Sequence, residues 1–120
     1  MTEHTVDLKA FVHLIVDSKD VEADLILDEG CTFETEDPKP LVKVINYIIN
    51  YLSQASDSPL AISLDLMPDN YRMSFMAYTA KEELESFSDQ VGGALNDYNA
   101  ELELKHEKGK YVQIILSFKR

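Results

Sequence analysis

Cysteine occurs once in this chain, at Cys31, which excludes an intrachain disulfide and any thiol-rich metal site. Long apolar runs are missing as well. Nowhere do about 18 consecutive apolar residues follow one another, so the sequence offers no membrane-spanning helix. The opening Met1-Thr2-Glu3-His4 has no basic start and no apolar stretch behind it, and a signal peptide is not expected. Positive charge is scarce: 11 Lys and Arg stand against 22 Asp and Glu, a formal charge of −11. Nucleic acid and anionic lipid repel such a body unless basic residues gather locally. The densest lysines lie in Lys105-His106-Glu107-Lys108-Gly109-Lys110, an expected hairpin turn that contains an acid. Nucleic acid and membrane are therefore not expected partners, whereas basic faces of proteins are compatible. The expected location is the cytoplasm.

Motifs that carry chemistry are missing too. The sequence has no GxxxxGK phosphate loop, no GxGxxG and no GxSxG elbow. Its histidines, His4, His13 and His106, have no partner histidine or cysteine at metal-ligand spacing. A His13–Cys31 dyad is conceivable, but no spacing supports it. The acids Asp17, Asp20, Glu22, Asp24, Asp28, Glu29, Glu34, Glu36 and Asp37 lack the ladder of a calcium loop. They read as the solvated face of an edge hairpin, where charge blocks unwanted strand pairing. Catalytic, metal-binding and cofactor-binding residues are accordingly not expected.

What is present suits one globular domain over residues 1–120. The apolar fraction is 45% and the charged fraction 28%, both ordinary for a folded chain. Over 5–16, Val6, Leu8, Ala10, Val12, Leu14 and Val16 alternate, and over 21–27 Ala23, Leu25 and Leu27 do the same. With a turn at Asp17-Ser18-Lys19-Asp20 this reads as a hairpin. The competing reading is a helix from Lys9, because Leu8, Phe11, Val12, Ile15 and Val16 also fit helical spacing; the β-branched content favours the strand. Leu41, Val44, Ile45, Ile48 and Leu52 form a helical stripe over 41–54, after a start at Asp37-Pro38-Lys39-Pro40. Strands are expected at 60–66 and 72–78, joined by the turn Pro68-Asp69-Asn70.

Thr79-Ala80-Lys81-Glu82 has the form of a capping box. It predicts a second helix with Leu84, Phe87, Val91, Leu95 and Tyr98 on one face, weakened by Gly92-Gly93. A closing hairpin follows, alternating through Leu102 and Leu104 and returning over 111–118. The expected fold class is α+β, a two-layer sandwich of a mostly antiparallel sheet with two helices on one face, in the order ββ-α-ββ-α-ββ. Met67, Met73 and Met76 near Phe75 read as core filling. Tyr47 and Tyr51, one helical turn apart and beside Asn46 and Asn50, read as a helix edge packed partly on the sheet. The sharper reading makes Tyr47, Asn50 and Tyr51 a partner-binding face, since tyrosine gives large contact area with little entropy to lose.

The run Glu36-Asp37-Pro38-Lys39-Pro40-Leu41-Val42-Lys43-Val44-Ile45-Asn46-Tyr47-Ile48-Ile49-Asn50-Tyr51-Leu52 resembles the start and long helix of histidine-kinase ATPase domains. The order after it, hairpin, helix, hairpin, is similar to that family, and the resemblance covers about residues 20–120. It implies an α/β sandwich and a bacterial signalling setting. The family's nucleotide residues do not carry over. Its magnesium-binding asparagine would fall at Tyr51, one place after Asn50, and tyrosine has no carbonyl oxygen for a hard cation. Its adenine-reading Asp-x-Gly-x-Gly would fall at Tyr78-Thr79-Ala80-Lys81-Glu82, and its glycine-rich box at Glu85-Ser86-Phe87-Ser88, both without glycine. There is no room for a nucleotide lid and no phosphoaccepting histidine on a helical hairpin.

The resemblance thus implies a fold kept without its ATP chemistry: a non-catalytic protein-binding or regulatory module, without cofactor, whose partner is a protein or a second copy of itself. A small acidic chaperone or adaptor for a secreted or signalling partner is the alternative from another class. Those chaperones generally begin and end in helices. An enzyme with an unrecognised site is the third reading.

Overall fold

Alternation decides most of the architecture. The computed structural model describes residues 4–120, so the reading of Met1 to Glu3 lies outside it. In chain order the elements are β1 (His4–Asp7), α1 (Leu8–Lys19), β2 (Ala23–Leu27), β3 (Thr32–Thr35), α2 (Lys39–Ala55), β4 (Leu60–Leu66), β5 (Asn70–Tyr78), α3 (Gln90–Asn96), β6 (Ala100–Glu107) and β7 (Tyr111–Lys119). Five strands form one sheet in the order β2-β4-β5-β7-β6, with β2 parallel to β4 and every other neighbour antiparallel. β1 and β3 form a separate antiparallel pair. The α+β class and the mostly antiparallel main sheet stand as expected.

The side-chain period of two puts Leu60, Ile62 and Leu64 of β4 beside Met73 and Phe75 of β5, and those beside Ile114 and Leu116 of β7. These residues share one continuous core with Leu41, Ile45, Ile48 and Leu52 of α2, all fully buried. On the opposite face of the sheet, Ile115 is buried apart from that core. The expected stripe of α2 is therefore the buried one.

Two expectations are corrected. The expected N-terminal hairpin is a strand followed by a helix, and the order of the described elements is β-α-ββ-α-ββ-α-ββ with three helices. Asp7 supplies the deciding local signal: its carboxylate accepts from the backbone N–H of Lys9 and Ala10 and caps α1. Leu8, Val12, Ile15 and Val16 then face inward at helical spacing, and Leu14 is left 69% exposed. Lys19 ends the helix, and Asp20 closes it in the left-handed region (φ 55°). Residues 32–35, read only as short and acidic, are a strand because β1 pairs with them.

The second expected helix is also shorter than read. It spans Gln90–Asn96, and residues 79–89 are irregular. Thr79 does not cap a helix. Its hydroxyl accepts from Lys81 N–H, a local side-chain turn, while its own N–H donates to Lys110 O.

Candidate functional site

α2 places Tyr47 and Tyr51 one turn apart on the side that faces residues 79–89. Both are half-buried. Phe87 from the irregular segment stands edge-on to both rings, with centroids 5.1 Å from each. Edge-to-face contact at this distance suits aromatic quadrupoles. The two hydroxyls then fix the backbone of the segment: Tyr51 Oη donates to Glu85 O at 2.7 Å, and Tyr47 Oη accepts from Ser88 N–H at 3.0 Å. Lys81 Nζ donates to Gln54 O at 3.4 Å and completes the attachment. Burial, and after it the neighbouring Tyr47 and Glu85, push the Tyr51 phenol up from its ordinary value, so it stays a neutral donor.

The recess under this clasp is small. It measures about 90 Å³ and is lined by Tyr51, Gln54, Ala55, Lys81, Glu83, Leu84 and Glu85. Sites for drug-sized ligands run to roughly 300–1,000 Å³. A wider hollow of about 460 Å³, open to solvent, lies beyond Lys81 between residues 55–58, residues 78–81 and the turn at Gly109 and Lys110.

All three stretches that the resemblance equates with nucleotide boxes contribute to the small recess: Tyr51, Lys81 and Glu85 meet there. Tyr51 brings to it a phenol already bonded to the Glu85 backbone carbonyl. Glu83 and Glu85 set negative charge beside the cation of Lys81. None of the described glycines, Gly30, Gly92, Gly93 and Gly109, lies in residues 79–89.

Of the expected partner-binding residues, Tyr47 and Tyr51 are brought together and bonded within their own chain. Asn50 is exposed, and its carbonyl accepts from Lys19 Nζ at 2.8 Å, joining α2 to α1. His13 is exposed on α1 whereas Cys31 is fully buried. Burial, with Asp28 and Asp7 adding to it, holds the Cys31 thiol above its usual range. Several of the acids take structural parts: Asp28 Oδ2 accepts from Leu66 N–H at 2.9 Å and Glu29 pairs with Lys9 at 3.3 Å. Among the described residues no three His, Cys, Asp or Glu converge as a metal set. No described helix is long and apolar enough to cross a membrane.

Sequence reasoning singled out Glu85-Ser86-Phe87-Ser88 only as the stretch in place of a glycine-rich box, read Phe87 as one face of a helix, and missed their contact with Tyr47 and Tyr51. No local signal names them; the geometry arises from a contact between segments some forty residues apart.

No protein-family model matches the chain, and no curated protein matches it in sequence. Solved structures do match it in fold. It is similar to the histidine kinase AdeS of Acinetobacter baumannii, with a TM-score of 0.77, 11% identity, and 99% of this chain and 68% of that one covered. It is similar to the histidine kinase domain of the E. coli osmosensor EnvZ, with a TM-score of 0.75, 12% identity, and 99% and 89% covered. The catalytic domain of the histidine kinase ThkA aligns at a TM-score of 0.74 and 11% identity, with 99% and 97% covered. The fold is that of the histidine-kinase ATPase domain, across nearly the whole chain.

Proposed function

We propose that this chain is a non-catalytic binding or regulatory module that keeps a histidine-kinase ATPase fold and does not bind ATP. One observation supports it above the rest. The positions equated with the nucleotide boxes converge on a recess of only about 90 Å³, bordered by Tyr51, whose hydroxyl holds Glu85 O, and by Lys81, which holds Gln54 O. Widening it means giving up the hydrogen bonds of Tyr51 to Glu85 and of Lys81 to Gln54, and what widens is lined by Glu83 and Glu85. The module then acts through protein contact. The half-exposed sides of Tyr47 and Tyr51 and the exposed amide of Asn50 supply the surface, since the tyrosine hydroxyls and the contacts to Phe87 are already engaged. The partner is a protein, a second copy included. Nucleic acid is disfavoured by the charge of −11.

Titration calorimetry with ATP and magnesium tests the reading. No heat of binding is expected at millimolar nucleotide. A dissociation constant in the micromolar range would overturn it and favour the enzyme reading, which the likeness in fold to catalytic domains of kinases raises from third place to second.

A further inference from the structure

The main sheet ends in two edges, β2 and β6. β2 is five residues long, while β6 runs for eight. A groove of about 530 Å³ lies along β6, between that strand and α3 with the segment before it. Phe87, Gly92, Leu102 and Leu104 give it apolar walls, and Asp89 brings an acid to its rim. Leu104 is 36% exposed, high for a leucine beside a core.

The phase of the strand decides what this edge can bind. Lys119 N–H donates to Asn99 O at 3.0 Å, one step beyond the pairing of Ala100 with Phe118. Antiparallel ladders alternate, so Glu101 and Glu103 turn their peptide groups toward β7 and Leu102 and Leu104 turn theirs outward. The outward N–H and C=O groups of Leu102 and Leu104 therefore lie on the same residues whose side chains line the groove. Glu101 and Glu103 project from the other face of the sheet, both exposed. Lys105 shares that face and sits 3.8 Å from Glu103.

We propose that the β6 edge and its groove take an extended peptide as a sixth strand, with apolar residues at alternate positions in the groove and cations at the positions between. Backbone ladder bonds would hold the strand, and the alternating side chains would select it. Directly opposed side chains in such a pair lie about 4.5–5.5 Å apart, close enough for Glu101 and Glu103 to favour lysine or arginine. The net charge of −11 steers the same partner. A second copy fits less well: antiparallel self-pairing about Leu104 sets Glu103 opposite Lys105 but Glu101 opposite Glu107, and it joins two bodies that each carry −11. Edge charges of this kind deter like strands and admit an oppositely charged one. The inference is independent of whether ATP binds.

The probe is a labelled Lys-Val-Lys-Val-Lys-Val peptide, followed by fluorescence anisotropy with the full chain at physiological salt. It should bind at least about tenfold more tightly than Glu-Val-Glu-Val-Glu-Val or the block peptide Lys-Lys-Lys-Val-Val-Val, because cross-strand charge and alternation act together. The double change Glu101→Lys with Glu103→Lys should reverse the preference between lysine and glutamate peptides. Leu104→Pro should abolish binding by removing an outward N–H, with circular dichroism confirming the fold. Equal binding of the block peptide, or a preference untouched by charge reversal, would overturn the proposal. So would a concentration-dependent dimer that excludes the peptide, which would assign the edge to a second copy.

Discussion

Both ends of α2 are tied down by tyrosines, one from outside the helix and two from within it. At the N-terminal end Pro38 offers no side-chain cap, and Tyr98 takes its place. Its hydroxyl accepts from Leu41 N–H at 3.1 Å and donates to Asp37 O at 2.7 Å, with the residue only 7% exposed. Phe33 packs against the Tyr98 ring. Toward the C-terminal end, Tyr47 and Tyr51 reach outward to an irregular segment and stay half-exposed. The first arrangement satisfies an orphan helix donor inside the core; the second fastens a surface segment that has no ladder of its own. The same side chain thus serves folding at one end and shapes a candidate site at the other.

The contrast can be broken first through the core that lies between the two ends. Ile48→Ala removes a fully buried side chain from α2 and should cost about 2–5 kcal/mol, read by denaturant unfolding. An effect below that of either tyrosine change would mean that the tyrosines, and not the apolar stripe, hold the helix.

Tyr98→Phe comes next, at about 1–3 kcal/mol, because it leaves Leu41 N–H buried without a partner. It has a signature in pH. Burial, against a lowering contribution from the Leu41 N–H, and with Asp37 and Asp97 adding to it, raises the Tyr98 phenol above its ordinary value of 10.0. A raised pKa in the folded state means that folding favours the protonated phenol. The stability is fully present below pH 10 and is lost as pH rises from there through the folded value. Unfolding of the parent chain should steepen in that alkaline window, and Tyr98→Phe should flatten part of the slope. An unchanged alkaline profile would remove Tyr98 from the core end of the comparison.

The sequence was legible where the neighbour in space is also the neighbour in sequence. β4 with β5 and β6 with β7 are hairpins whose alternation needs no further information, and the stripe of α2 matched its burial. α1 was misread because its apolar residues satisfy both periods. Leu14 discriminates between them, since a strand would bury it with Val12 and Val16, and the helix exposes it. The cap at Asp7 was the overlooked local signal. β3 was invisible because its partners in β1 lie 25 to 31 residues upstream, as the pairing of Asp7 with Thr32 to His4 with Thr35 requires the chain to return past α1. The false capping box at Thr79 failed for a tertiary reason: Leu84 and Phe87 pack against α2 from irregular backbone, and a helix would not deliver the Ser88 N–H and Glu85 carbonyl to two tyrosines on one face.

The smallest expected effect tests the other end of α2. Tyr47→Phe keeps the ring, and with it the contacts to Tyr51 and Phe87, but leaves Ser88 N–H without its acceptor. Tyr51→Phe likewise removes the donor to Glu85 O. Each lost bond is partly replaced by water, so the global cost should be about 0.5–1.5 kcal/mol, below that of Tyr98→Phe. The local change should be larger than the global one. In hydrogen exchange followed by NMR, the Ser88 amide should exchange faster in Tyr47→Phe while amides of β5 and β7 keep their protection, because the ladder between those strands is untouched. Equal loss of protection in the sheet would show that the clasp is continuous with the core, and the two ends of α2 would then be one structure. Retention of the Ser88 protection would show that the segment is held by Phe87 alone. Loss confined to 79–89 would leave the clasp as a separable latch over the recess.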